Sequence, residues 1–307
     1  MKFGDMTQFS GIGIVSPNFQ ARRSCSSAWS QDIPLSFREI PSAFVLDHIA
    51  APDGLVNEPV DSIKLRCYNN PSKNLMKNQY FGDINDYQKY GLLRCLSQAG
   101  LKIGLCWMLT QNDNSGDGGH IGYAQNPDRY RDHDPELFFA LQAALSSGTR
   151  HISLAAQPGI LPGALSFSDL LTDQASQRFD YFSRLFKALE TIDLLFFDPD
   201  NGLEIPSTRY GHRGSSKYLY WREVRQAYDL GFSLLIYQHF PRVQRTEFIQ
   251  RMIARIRSKT WPKQRIYAFQ AKWTVSFLAG QSSHASRIQA AVDLVRQSWS
   301  GLIHIVE

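Results

Sequence analysis

Apolar positions in the chain fall into two alternating rhythms from about Asp86 onward. Between Asp86 and Ala99, apolar and aromatic side chains stand at Tyr87, Tyr90, Leu92, Leu93 and Leu96. That helical spacing turns one stripe toward a core, and Gly100 supplies the stop. The same rhythm predicts helices over Asp134 to Leu145, opened by Asp134 as cap and Pro135 in the first turn, and over Ser176 to Leu189 through Phe179, Phe182, Leu185 and Phe186. Further helices are expected over Trp221 to Tyr228 and Arg245 to Lys259. Between them lie short apolar runs of strand length: Ile103 to Leu109, His151 to Leu154, Ile192 to Phe197 and Phe232 to Tyr237. Ile192 to Phe197 is apolar almost throughout, the pattern of a strand covered on both sheet faces, and is expected at the centre of the sheet. Ile266 to Phe269 and Val275 to Ala279 read as a C-terminal β-hairpin. Strands alternating with helices predict an α/β domain: a single doubly wound, mostly parallel sheet, Rossmann-like, with helices on both faces.

This patterning covers residues 76–307. Over residues 1–75 no period persists and Ser, Pro and Gly are scattered, so this stretch is expected to be an irregular N-terminal extension. The Met76-Lys77-Asn78-Gln79 junction reads as a natural start of translation.

Composition adds two constraints. No run approaches the roughly eighteen apolar residues of a membrane span, and the first residues lack a basic segment followed by an apolar one, so no membrane partner and a cytoplasmic location are expected. The four cysteines, Cys25, Cys67, Cys95 and Cys106, form no CxxC pair and indicate neither a zinc knuckle nor a disulfide framework. Residues 1–75 carry seven charges of each sign, so the whole formal excess of +5 lies in residues 76–307. Between Arg242 and Lys272 nine Lys and Arg face a single acid, Glu247. Such a segment is either a polyanion-binding face, with nucleic acid as the partner, or a solvated basic helix.

Candidate chemistry concentrates where the apolar runs end. Ligands of open parallel sheets sit outside the carboxyl ends of the strands. Phe196-Phe197 ends in Asp198-Pro199-Asp200-Asn201-Gly202-Leu203-Glu204, which crowds Asp198, Asp200 and Glu204 into a turn beside the core. Close carboxylates can hold a hard cation such as Mg2+ or Mn2+, or act as a general base; the alternative is a polar turn that caps the next segment. Downstream, Arg209 to Lys217 is a basic, Gly-containing loop of the kind whose amides and cations gather around phosphate, with Lys217 as its lysine. His239 ends the next apolar run and is either a proton carrier or structural. Asp83, Asp86, Lys89 and Tyr90 form a second polar group on the first helix, from which Lys89 could approach a ligand. The loop after the first strand carries Asp113, Asp117, Gly118 and His120 where a nucleotide-type cofactor is expected, without a GxGxxG.

Residues 76–307 resemble a widespread, uncharacterised bacterial family marked by Phe81-Gly82-Asp83 with Asp86-Tyr87-Gln88-Lys89-Tyr90-Gly91-Leu92-Leu93-Arg94, by Phe197 to Glu204, and by Tyr237-Gln238-His239-Phe240. More distantly, the order of elements is similar to that of class I S-adenosylmethionine-dependent methyltransferases of the ribosomal-RNA adenine-N6 type. That resemblance implies a methyltransferase-like fold and S-adenosylmethionine as cofactor, near Asp113, Asp117, Gly118 and Lys89. It also puts Asp198 in the place of the first residue of an Asp-Pro-Pro-Tyr motif, which accepts a hydrogen bond from the target amino group. Asn201 stands where the motif has its base-stacking aromatic.

Three readings therefore enter the structural comparison. One is a methyltransferase-like enzyme acting on nucleic acid through the Arg242 to Lys272 face. The second is a metal-dependent nuclease or phosphodiesterase, of a kind used in phage defence, with Asp198, Asp200 and Glu204 as ligands and Lys217 or His239 against the phosphate. The third is a non-catalytic nucleic-acid-binding module.

Overall fold

Asp83 opens the first helix of the computed structural model by accepting a hydrogen bond from the Asp86 amide at 2.9 Å, and Gly100 ends the helical segment with a φ of +90°. The structure describes residues 78, 81–111, 119–148, 150–260 and 265–307, all within the unit Cys67–Glu307. The sequence expectations for residues 1–75, and for Asp113, Asp117 and Gly118, lie outside the described residues.

In chain order the elements are α1 (Ile84–Gln98), β1 (Ile103–Cys106), α2 (Pro127–Tyr130), α3 (Pro135–Ser146), β2 (Leu165–Phe167), α4 (Ala175–Ala188), β3 (Leu194–Phe197), α5 (Trp221–Asp229), β4 (Ser233–His239), α6 (Arg245–Thr260), β5 (Ile266–Gln270), β6 (Thr274–Ala279), α7 (Ala285–Trp299) and β7 (His304–Val306). The strands form one mixed sheet in the order β2-β1-β3-β4-β6-β5-β7. Pairings among β2, β1, β3 and β4 are parallel, whereas β4 with β6, β6 with β5 and β5 with β7 are antiparallel. This corrects the expectation of a mostly parallel sheet. The β5–β6 hairpin forms as expected, but it is neither terminal nor appended: β6 inserts between β4 and β5, and α7 and β7 follow. The middle of the sheet is β4, not β3.

Other differences are local. His151 to Leu154 is not a strand; His151 caps a 3-10 turn, Ile152–Ala156, by accepting from the Ser153 amide at 3.2 Å. Phe179 points outward and is 57% exposed, while Arg178 beside it is fully buried.

Two apolar layers sandwich the sheet. On one face α1, α3 and α7 pack with Leu105, Phe196 and Leu235; on the other α4, α5 and α6 pack with Leu195, Phe197 and Ile236. Alternate residues of β3 thus feed both layers, which is why its sequence is a continuous apolar run. α1 and α7 approach closely at Gly91, where a Cβ atom would lie 2.0 Å from the Trp299 ring. Among the described residues no helix is long and apolar enough to cross a membrane. Cys95 and Cys106 are buried free thiols.

Candidate active site

The chain leaves β1 for β2 on one side and then returns to place β3 on the other. β1 and β3 therefore bound the point at which the winding reverses, where loops diverge and leave a crevice at the strand ends. Asp198 stands at that point. Its amide donates to the Cys106 carbonyl at 3.0 Å, extending the β1–β3 ladder by one residue, and its side chain is 2% exposed.

A buried ionic cluster forms around it. The Lys89 ammonium lies 3.2 Å from Asp198 Oδ2, 2.8 Å from Asp86 Oδ1 and 4.4 Å from the centre of the Tyr237 ring. Burial opposes the charge on Lys89, but Asp198 and Asp86 outweigh it and hold the ammonium well above the ordinary lysine range. Asp86 Oδ2 accepts from the Tyr90 hydroxyl and from the Gly82 amide, both at 3.1 Å. Burial, and then the charge of Asp86, push Asp83 up to about 6. Two carboxylates, Asp86 and Asp198, thus share one ammonium beneath the strand ends, with Asp83 beside Asp86. The dense polar group of α1 and the acidic turn after β3, 109 residues apart at Lys89 and Asp198, are one constellation.

The remainder of the turn is built for shape. Gly202 has a φ of +86°, and a Cβ there would lie 2.2 Å from the Gln238 amide, so only glycine fits without displacement. Gln238 at the end of β4 grips the turn, its Oε1 accepting from the Leu203 amide at 2.8 Å. Asp200 is half-buried and accepts from the Thr110 hydroxyl at 2.7 Å, tying the loop after β1 to the loop after β3. Just before Thr110, Met108 adopts a φ of +48°, which places left-handed backbone on a buried non-glycine residue at the crevice. Glu204 faces elsewhere: its Oε2 accepts from the Trp221 amide at 3.0 Å and caps α5.

Beside this cluster opens a cleft of about 650 Å³, lined by Thr110, Asp173, Asn201, Thr208, Arg213 and Lys217 among others. Its far wall is the 209–217 loop. The loop amides expected to face a phosphate are already engaged, since Gly214 and Ser216 donate to Asp173 at 2.8 and 2.7 Å. Those bonds hold Asp173 below the usual carboxylate range against its partial burial. Arg178 completes the wall from beneath, with Glu223 and the carbonyls of Ser215 and Tyr218 on its guanidinium.

The structure therefore divides the sequence candidates. Asp198 and Lys89 share the buried cluster, and neither lines the cleft. Asp200 bridges two loops, and Lys217 lines the cleft. His239 sits at the exposed end of β4, edge-on to Tyr237 at 5.2 Å between ring centres. Asp198, Asp200 and Glu204 take separate partners, and no group of three His, Cys, Asp or Glu suited to a metal ion occurs among the described residues. Thr110, Asp173 and Arg178 were not singled out in the sequence. A short polar run, Thr172-Asp173-Gln174 ahead of α4, was the visible signal for Asp173. No protein-family model matches the chain, and neither does any curated protein or solved structure.

Proposed function

We propose that this protein is a methyltransferase-like enzyme acting on nucleic acid, with its cofactor in the 650 Å³ cleft and the target amino group presented to Asp198. The observation that carries this reading is that the cleft opens at the winding reversal beside the segment bearing a buried carboxylate: Thr110, after β1, and Asn201, three residues beyond Asp198 after β3, both line it.

The donors of the cleft fit S-adenosylmethionine. Thr110, Asn201 and Thr208 offer neutral donors and acceptors to a ribose and a base, and Arg213 and Lys217 offer cations to a carboxylate. When bound, that cofactor would supply an electrophilic methyl group. Asp198 would accept a hydrogen bond from the target amino group and fix its orientation, while Lys89, within 3.2 Å, offsets the carboxylate charge in a buried setting. The Thr110–Asp200 hydrogen bond would keep the two strand-end loops together around both ligands. The metal-dependent phosphodiesterase reading has less support, because its three carboxylates do not converge.

Calorimetry and thermal melting with S-adenosylmethionine test this. Binding should appear at micromolar concentrations and stabilise the protein by about 2.7 kcal/mol at a hundredfold excess over Kd. Asp198→Asn should retain that binding and lose methyl transfer by about 10²-fold or more, the scale for one oriented polar contact at a reacting centre. Absence of both heat and a melting shift at millimolar cofactor would overturn the reading.

A further inference from the structure

The same edge of the sheet carries a second feature that the cleft does not use. β5 and β6 are joined by Ala271, Lys272 and Trp273, a turn closed by the Ala271 amide donating to the Thr274 carbonyl at 2.8 Å. Small polar residues suit such a turn, yet Trp273 is there and is 49% exposed. Half-exposed indole is costly in water, and clustered exposed apolar surface marks a binding site. Nor does the turn stand alone. The Phe240 amide donates to the Trp273 carbonyl at 3.3 Å, which fastens the turn to the loop after β4.

Cations surround these rings. The Lys272 ammonium lies 4.8 Å from the Trp273 ring centre and the Arg245 guanidinium 5.1 Å from that of Phe240. Arg242, two residues beyond Phe240, is exposed, and Glu247, the one acid of the segment, pairs with Arg251 at 3.5 Å. A flat exposed aromatic face ringed by cations matches a ligand that is both flat and anionic. A single nucleic-acid strand has both properties, whereas a duplex hides its base faces in the stack.

We infer that Trp273, with Lys272 and Arg242, forms a base-stacking platform for single-stranded nucleic acid. Strand register sets its distance from Asp198. Phe197 pairs with Ile236 and His239 with Thr274, so the platform lies three residues beyond Asp198 along the strands and two strands across. At about 3.3 Å per residue and 4.8 Å per strand this is roughly 14 Å. About four stacked nucleotides at roughly 3.4 Å each cover that span, so a strand held on Trp273 could reach the crevice. The inference rests on the nucleic-acid part of the function proposed above and not on its cofactor.

The test is fluorescence anisotropy of the full-length protein with a labelled 16-nucleotide strand and with the duplex of the same sequence, at 50 to 200 mM salt. The single strand should bind at least tenfold more tightly than the duplex and quench indole emission. Trp273→Ala should weaken single-strand binding by about 5- to 150-fold, the range for one stacked base, while Trp273→Phe keeps most of it. A double charge reversal, Arg242→Glu with Lys272→Glu, should weaken binding and flatten its salt dependence. Equal affinity for strand and duplex, or unchanged single-strand affinity in Trp273→Ala, would overturn the platform. Calorimetry with S-adenosylmethionine on Trp273→Ala separates the two proposals. Duplex binding and retained cofactor binding, with no strand binding in the parent protein, remove the platform alone; strand binding without cofactor binding removes methyl transfer alone.

Discussion

Arg178 and Lys89 are both buried cations beneath the loops at the carboxyl edge of the sheet, but their surroundings differ in balance. Arg178 meets one carboxylate, Glu223, and also donates to the carbonyls of Ser215, in the 209–217 loop, and Tyr218, just after it. Glu223 also accepts from the Tyr220 amide at 2.9 Å, so both partners are engaged on several sides. The planar guanidinium suits this role because its donors leave in fixed directions and can tie a helix, a loop and a carboxylate together. Lys89 is a point charge that pairs with Asp86 and Asp198, and the nearby Asp83 is pushed upward by burial and by the charge of Asp86. A balanced, saturated pair holds a wall in place. A cluster that forces one carboxyl toward its neutral form carries a charge penalty, and that difference separates scaffold from candidate site more clearly than burial does.

The largest effect should come from disturbing the balanced pair. Arg178→Ala leaves Glu223 buried without its cation, at a cost of about 3–5 kcal/mol. For a chain of this size that corresponds to a fall in Tm of roughly 10 °C in scanning calorimetry. Replacing both partners, Arg178→Met with Glu223→Met, should restore most of the loss, since an apolar pair leaves no unpaired charge. If the double variant is no more stable than the single one, the pair does more than balance charge, and the contrast with Lys89 weakens. A smaller effect is expected at the turn that carries Asp198. Gly202→Ala must place a methyl 2.2 Å from the Gln238 amide at a φ of +86°, at a cost of about 1–3 kcal/mol. Guanidinium unfolding should show a lower midpoint at unchanged slope. An unaltered midpoint would mean that the turn can relax away from Gln238.

The same contrast explains what could be read from sequence. The Phe196-Phe197-Asp198 strand end was legible because a strand covered on both faces must be apolar at every position, and α3 because Asp134 and Pro135 are local start signals. The β5–β6 pairing was legible as a hairpin, but its insertion beside β4 was not. That insertion depends on contacts such as Ile236 with Phe277, which no local pattern encodes. α7 is not among the helices expected from the sequence, although Ile288, Ala291, Val292, Val295 and Trp299 mark one helical face, so its signal is present. Arg178 had no signal. A lone arginine in an amphipathic helix reads as solvated, and its partner Glu223 lies 45 residues away. Lys89 and Asp198 were each singled out as polar residues near apolar runs, yet only the fold joins them.

The smallest expected effect tests the charge penalty at Asp83 directly. Asp83 has its pKa raised from 3.8 to about 6 by burial and by the charge of Asp86. Between those values the folded chain holds a proton that the unfolded chain releases, so this group's stabilising contribution is complete below about pH 4 and is lost as pH rises through about 6. Asn at this position cannot ionise and is an equally good helix cap, able to accept from the Asp86 amide as Asp83 does at 2.9 Å. Asp83→Asn should therefore match the parent protein near pH 4 and exceed it by on the order of 1 kcal/mol at pH 7. Urea unfolding at pH 4, 5, 6 and 7 would measure the difference. A constant gap across the series would mean that Asp83 carries no excess charge penalty, and the Lys89 cluster would then be as balanced as the Arg178 pair. A gap that opens between pH 4 and 6 would locate the imbalance at the amino end of α1, where one further cationic or proton-donating ligand group could offset it.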